Sequence, residues 1–395
     1  RKQLLELRDR LNIQEEIPED ALEEGVPPYF RPAENSESHE YLLGRRKALD
    51  GPLPQRITST RRPLTMPSDT PFKAADDGSG GREVSTTMVF TGMLRDLMRE
   101  PGFGERVVPI VPDEARTFGM DSMFREFEIY APFGQLYEPV DHELLLSYTE
   151  DTDGQILEEG ITEAGSMASW IAAATSYAHR GVPMVPFYTF YSMFGFQRVG
   201  DLIWSAADSR ARGFLMGATA GRTTLAGEGL QHQDGHSLLM ASTVPACQAY
   251  DPAFAYELGT ILRDGMQRMY VDNEDIFYYL TLYNENYEQP AKPPDVDRGI
   301  LHGLYRFQDV PDGVPAQAAI LFSGPTHIAA SEARDELAER WGVGAELWSA
   351  TSYKRLREQA IEVERWNRLH PAEEPRVPLV TSLLAAAPGP TVAVS

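Results

Sequence analysis

From Ser85 onward, short apolar runs alternate with segments in which apolar residues recur at helical spacing. Val107-Val108-Pro109-Ile110-Val111 is a β-rich run, and 182–188, 213–217 and 276–280 are others. Helix-like stretches at 165–178 and 253–269 lie between them. The second is introduced by Asp251-Pro252, a capping residue followed by a proline suited to the first turn. Strands alternating with helices predict an α/β fold on a doubly wound, mostly parallel sheet. Ligands of such sheets bind off the carboxyl ends of the strands.

The flanks have a different texture. Residues 1–83 mix short helical patterns with breakers: an acidic run over 15–24, then Pro27-Pro28, Pro32, Pro52, Pro54 and Asp76-Asp77-Gly78-Ser79-Gly80-Gly81. This reads as a surface-running connector that continues from something upstream. Its Tyr29, Phe30, Tyr41, Leu42 and Leu43 predict that it lies on a neighbouring domain. The sheet domain is expected over 84–290, a linker opened by Gln289-Pro290-Ala291-Lys292-Pro293-Pro294 over 291–314, and a second α/β domain over 315–395. There, a run at 318–324, a helix ending at Trp341 and a run at 345–349 make a β–α–β unit. The stretch 390–395 reads as a third strand with nothing after it, so this domain is expected to be truncated.

Composition narrows the function classes. With 42% hydrophobic and 10% aromatic residues the chain suits a folded protein, and 395 residues suit two or three domains. No run approaches the roughly 18 apolar residues of a membrane span, and the start lacks the apolar core of a signal peptide, so a soluble cytoplasmic protein is expected. The 36 basic residues face 59 acidic ones, a net charge of −23, which argues against a nucleic-acid partner. Cys247, the one cysteine, excludes an intrachain disulfide and any multi-cysteine metal site within this chain; its apolar setting reads as a buried strand.

Four places carry candidate chemistry. Asp113 and Glu114 follow the strand ending at Val111-Pro112, where a parallel sheet presents ligand groups, although such a pair also serves as a helix cap. Glu158, Glu159 and Glu163 precede an apolar helix. They either complement the helix dipole or, for Glu163, supply an acid that exchanges a proton with a cofactor nitrogen. The stretch from Phe187 to Arg198 holds a dense set of aromatic rings interrupted by Ser192, Gly195, Gln197 and Arg198, which suits either core filling or stacking on a flat heterocycle. His232 and His236 have the spacing of two metal ligands on a helix. Gly227, Gly229 and Gly235 argue for a loop instead, with His232 as a hydrogen-bond donor or proton-transfer group.

Together these segments resemble the thiamine-diphosphate enzymes of the transketolase superfamily, and specifically the homodimeric pyruvate dehydrogenases of bacteria. The residues that carry the likeness are Asp113 to Met120, Glu159 to Gly165, Pro186 to Arg198, Gly221 to His236, Leu282-Tyr283-Asn284-Glu285-Asn286-Tyr287 and Glu364-Arg365-Trp366-Asn367. The resemblance implies a thiamine-diphosphate-binding fold whose sheet domain takes the aminopyrimidine, followed by a transketolase-type C-terminal domain. It implies Glu163 as the acid at the pyrimidine nitrogen, Phe194 as the stacking ring, Tyr191 and Ile161 as cofactor neighbours and Asp113 as a cofactor-side residue. Glu114 and Arg198 match charged groups near a dimer interface, and His232 a substrate-side histidine. Residues 133–149 correspond to a mobile loop over the filled site. The implied reaction is oxidative decarboxylation of pyruvate with reductive acetylation of the lipoyl group of a dihydrolipoyl acetyltransferase, by a homodimer. The family's Gly-Asp-Gly to Asn motif for Mg2+ and diphosphate is absent from this chain, so those ligands are expected in a missing N-terminal domain and the chain is expected to be inactive alone. A transketolase-type carbon-transfer enzyme and a non-catalytic pairing fragment are the alternatives.

Overall fold

The computed structural model describes residues 1–26, 28–29, 31–49, 51, 60–113, 115–139, 148–221, 229–387 and 389–395. The chain divides into two units, Arg1–Ile57 and Thr58–Ser395. The first carries α1 (Lys2–Leu11) and α2 (Glu37–Ala48). Ser36 caps α2 by accepting the His39 amide at 3.2 Å, and Glu37 and Arg45 to Lys47 complement its dipole at opposite ends. Tyr29, Tyr41, Leu42 and Leu43, expected to anchor this segment, are all exposed; Phe30 lies outside the described residues.

The second unit is built on six parallel strands: β1 (Val107–Val111), β2 (Leu157–Glu158), β3 (Val185–Tyr191), β4 (Phe214–Ala218), β5 (Cys247–Tyr250) and β6 (Phe277–Thr281). Their spatial order is β2-β1-β3-β4-β6-β5. Side chains alternate between the faces of a strand. Phe187 of β3, Phe214 and Met216 of β4 and Tyr278 and Leu280 of β6 therefore fill one core, while Tyr188, Phe190, Leu215, Phe277 and Tyr279 fill another. Helices cover both faces. On the first pack α3 (Thr70–Asp77), through Phe72, and α4 (Thr86–Arg99), through Phe90 and Leu94. On the second pack α5 (Glu163–Ala174) and α6 (Gly195–Asp208), through Trp170 and Ile203. The first face also takes α7 (Ala255–Met266), through Leu258 and Leu262. This is the doubly wound sheet expected of the sequence. Residues 70–77, read there as connector, are part of its core, with Phe72 and Ala75 buried.

Asp251 does not cap α7. Its buried carboxylate accepts the hydroxyls of Thr281 and Tyr283 instead, and burial raises it above the usual aspartate range. The cap is supplied by Glu257 in the first turn, which accepts the amides of Ala253 at 2.6 Å and Phe254 at 3.1 Å.

The second sheet has β7 (Tyr305–Gln308), β8 (Ala316–Phe322), β9 (Gly344–Ser349) and β10 (Thr391–Val394) in the order β7-β9-β8-β10, with only β7 antiparallel. Thus the stretch read as linker contributes a strand. The helix α8 (His327–Trp341) joins β8 to β9, and α9 (Tyr353–Leu369) follows β9. Glu257 ties this sheet to α7: its carboxylate also accepts Tyr305 Oη and Ser349 Oγ, each at 2.6 Å.

Candidate active site

In the sheet order, the chain passes from β1 outward to β2 and then crosses to β3 on the other side. Such a reversal opens a crevice between the carboxyl ends of the two strands that part, here β1 and β3, because their connections leave in opposite directions. Most of the candidate residues come from the segments around that crevice.

Tyr191 ends β3, and one tight turn over Ser192–Phe194 leads into α6. Gly195 makes the turn possible, since a Cβ there would lie 2.1 Å from the Phe190 ring. The turn sets Tyr191 and Phe194 edge to face with centroids 5.7 Å apart and puts Arg198 one helical turn on, its guanidinium 4.0 Å from the Phe194 centroid. Beside it, α5 begins at Glu163. Thr162 Oγ1 caps that helix by accepting the Gly165 amide at 3.2 Å, and the segment entering it is pinned by Glu159 N to Val111 O at 3.0 Å and Gly160 N to Pro112 O at 2.8 Å. Glu163 Oε1 then meets Arg198 Nη1 at 2.6 Å, with the carboxylate side chain 13% exposed and the arginine 48%.

The glycine-rich loop beyond β4 supplies the third side. A short turn over Leu230–His232 places the His232 ring 5.5 Å from Tyr191 and 5.3 Å from Phe194, edge on to both. The structure therefore brings Glu163, Arg198, Phe194, Tyr191 and His232 into one connected group. Ile161 lies just before α5 and is 78% exposed. Asp113 is exposed beyond the end of β1. Glu114 lies outside the described residues, as does 140–147 of the loop expected over 133–149.

Residues that the sequence did not group with one another also gather here. Tyr148, Glu150 and Glu158 form a hydrogen-bonded set with Tyr137, and burial raises the Glu158 carboxyl, with Asp113 and Glu150 adding to the effect. Under the aromatic turn, the hydroxyls of Ser192 and Thr189 are buried and lack a hydrogen-bond partner among the described residues. The same residues contain no group of three His, Cys, Asp or Glu side chains arranged to hold a metal. None of the described helices is long and apolar enough to cross a membrane.

What the set offers is a carboxylate at a helix start, part-exposed rings and an exposed aliphatic side chain. These suit a flat nitrogen heterocycle, which needs one polar anchor and apolar faces.

Comparison with known proteins shows the family. The sequence pattern of the family described as "Pyruvate dehydrogenase E1 component middle domain" matches residues 64–290. The pyruvate dehydrogenase E1 component of Pseudomonas aeruginosa is 51% identical over 93% of this chain and 41% of its own length. That of Mycolicibacterium smegmatis is 52% identical over 94% of this chain and 40% of its own. A transketolase from Campylobacter jejuni superposes with a TM-score of 0.58 at 16% identity, over 84% of this chain and 42% of that one, so the α/β fold is transketolase-like. The chain spans about two fifths of the length of the curated relatives it matches. On the family match and the identity across nearly all its residues, the chain belongs to the pyruvate dehydrogenase E1 component family.

Proposed function

We propose that this chain is the part of a thiamine-diphosphate-dependent pyruvate dehydrogenase that holds the aminopyrimidine end of the cofactor. The observation that carries the reading is the joining of Glu163, Arg198 and Phe194 at the β1/β3 crevice, a carboxylate and a ring presented side by side. When bound, the cofactor supplies a carbon nucleophile for the ketone of pyruvate and a sink for the electron pair that decarboxylation releases.

The chain's own residues do the rest. Glu163 holds a proton against a pyrimidine ring nitrogen, Phe194 offers its ring for stacking, and Tyr191 and Ile161 bound the remaining apolar surface. His232 donates a hydrogen bond on the substrate side, and its edge-on contact with both rings makes it a support for them as well. Asp113, beyond the end of β1, is a cofactor-side charge, a role the sequence motif extends to Glu114, and the resemblance makes Arg198 and Glu114 charged groups of a dimer interface. Mg2+ and diphosphate fall to residues elsewhere in a longer chain, because the family's Gly-Asp-Gly to Asn motif does not occur in this sequence. The product group passes to the lipoyl group of a dihydrolipoyl acetyltransferase in the homodimeric enzyme, which works in the cytoplasm; this segment alone is inactive. The domain reading that goes with this keeps a connector ahead of residue 70, a pyrimidine-binding domain that takes in α3 and runs to about residue 290, and a C-terminal domain whose sheet takes in β7.

Calorimetric titration of thiamine diphosphate with Mg2+ into the full-length protein tests the reading, with pyruvate turnover measured in parallel. Tight binding and turnover are expected, with His232→Ala lowering kcat much more than cofactor affinity. Absence of binding by the full-length protein overturns the proposal. Equal loss of affinity and turnover in His232→Ala removes the substrate-side role.

A further inference from the structure

The turn that carries His232 closes on itself through His232 N to Gly229 O and Gln233 N to Leu230 O, each at 3.2 Å. Asp234, two residues beyond the imidazole, ties that turn to the rest of the protein. Its amide donates to Gly221 O at 3.1 Å, on the chain leaving β4. Its carboxylate faces the start of a short helix, Ser237–Ala241. There Oδ1 accepts the amides of His236 at 2.9 Å and Ser237 at 3.0 Å, and Oδ2 accepts the Ser237 hydroxyl. Asp234 and Ser237 are both buried, so the Ser237 donors have no water to turn to. The short helix packs against α6, and its Ala241 joins the core that holds Phe196, Val199 and Ile203 of α6. That helix begins directly after the turn over Ser192–Phe194. The rings and the imidazole thus share one frame: Tyr191 and Phe194 at the head of α6, and His232 on a turn whose anchor is locked to a helix lying against α6.

We propose that Asp234 is a positioning residue for His232, holding the turn where the imidazole meets Tyr191 and Phe194 edge on. Two residues of extended chain span at most about 7 Å, so the imidazole cannot drift far while Asp234 is held. One short side chain meets three donors here. Without it, the buried amide and hydroxyl of Ser237 are left unpaired, and the segment relieves that by turning them out to solvent. The main chain of Asp234 moves with them, and the turn over Leu230–His232 follows. A displacement of about 1 Å can cost on the order of a hundredfold in rate. A helix cap that did nothing more would act on stability alone, whereas this one sets where the imidazole stands. That the imidazole serves the substrate rests on the function proposed above; its placement by Asp234 does not.

Fluorine NMR of the full-length protein labelled with fluorohistidine reads the placement, the His232 signal being identified by its loss in His232→Ala. That signal should shift and broaden in Asp234→Ala as the ring leaves Tyr191 and Phe194. It should return in Asp234→Asn, whose Oδ1 accepts the same amides and whose Nδ2 donates to Ser237 Oγ. Pyruvate turnover reads the consequence. In Asp234→Ala, kcat should fall by about ten- to a hundredfold with cofactor affinity nearly unchanged. The double variant Asp234→Ala/His232→Ala should be no slower than His232→Ala alone, because Asp234 acts through the imidazole. Should Asp234→Ala not fold, Asp234→Ser, whose hydroxyl still caps one amide, replaces it in both measurements. A His232 signal that stays in place overturns the proposal, as does an Asp234→Asn protein that behaves like the truncated variant. Additive losses of turnover in the double variant mean that the two residues act separately, and overturn it too. A wild type without turnover sinks the function proposed above, and the fluorine signal then decides the placement by itself.

Discussion

Arg198 is shared between Glu163 and Phe194: its Nη1 lies 2.6 Å from the Glu163 carboxylate while its guanidinium covers the Phe194 ring at 4.0 Å. The pair is exposed on the arginine side, so it is worth only about 0–1 kcal/mol to the fold. Glu163→Ala should therefore leave the melting temperature of a full-length enzyme almost unchanged. Under the function proposed above Glu163 is a positioned acid, worth roughly 10²–10⁴-fold in rate, so turnover should collapse by that factor. Calorimetric melting and steady-state pyruvate kinetics check the two halves, and activity within twofold of the parent would remove Glu163 from the chemistry.

Glu257 should be the most sensitive surface-independent position. It is fully buried and its carboxylate receives two backbone amides, Tyr305 Oη and Ser349 Oγ. Glu257→Leu strands the two amides and the Ser349 hydroxyl, while Tyr305 Oη keeps Tyr256 Oη 2.6 Å away, and since each buried unpaired group costs about 1–3 kcal/mol, a loss of at least about 3 kcal/mol is expected. Tyr305→Phe removes one donor and should cost about 0.5–1.5 kcal/mol. Denaturant midpoints for both variants would rank them, and a Glu257→Leu protein as stable as Tyr305→Phe contradicts the account.

His327 predicts the acid side of the stability profile. Its ring packs against Phe254 and Tyr287 with centroids 4.9 and 4.5 Å away, and burial pushes it down to about 4 from the usual 6.5. A depressed base binds more protons unfolded than folded, so its contribution is complete above pH 6.5 and lost as pH falls towards 4. The loss amounts to about 3 kcal/mol across that window. Glu158, Glu257 and Asp251, all raised by burial, act with the opposite sign. The difference in slope between wild type and His327→Leu isolates the histidine, and identical slopes in urea melts at pH 5 and 7 would refute its role.

Cys247 should be inert in the native protein. It is fully buried in β5 and its thiol is pushed up to about 12 by burial, so neither access nor thiolate is available. An aromatic disulfide reagent should label one thiol per chain in denaturant and essentially none before unfolding. Rapid native labelling would show that β5 opens locally.

The sheet was legible because β-rich runs and helical spacing are local signals: β1, β3, β4 and β6 fall within a few residues of the runs that predicted them. The aromatic turn and Glu163 were legible for the same reason, each being a short contiguous motif. Asp251 misled because aspartate before proline is a common helix start, whereas the partners that claim its carboxylate, Thr281 and Tyr283, sit some thirty positions away. Glu257 and the set of Tyr137, Tyr148 and Glu150 around Glu158 carry no motif at all. Their meaning lies in hydrogen bonds between separated segments, which composition and period do not encode.

Gly195 sets how this region can vary. With the Phe190 ring 2.1 Å from where its Cβ would be, even alanine must displace a fully buried ring. A library randomising 191–198 and selected only for folded protein should accept broad substitution at the exposed Gln197 and Arg198 and return glycine alone at 195. The spacing between Tyr191 and Phe194 is thereby held by a residue that stands behind both rings, and any lineage that changes what the rings face inherits that spacing as a fixed ruler.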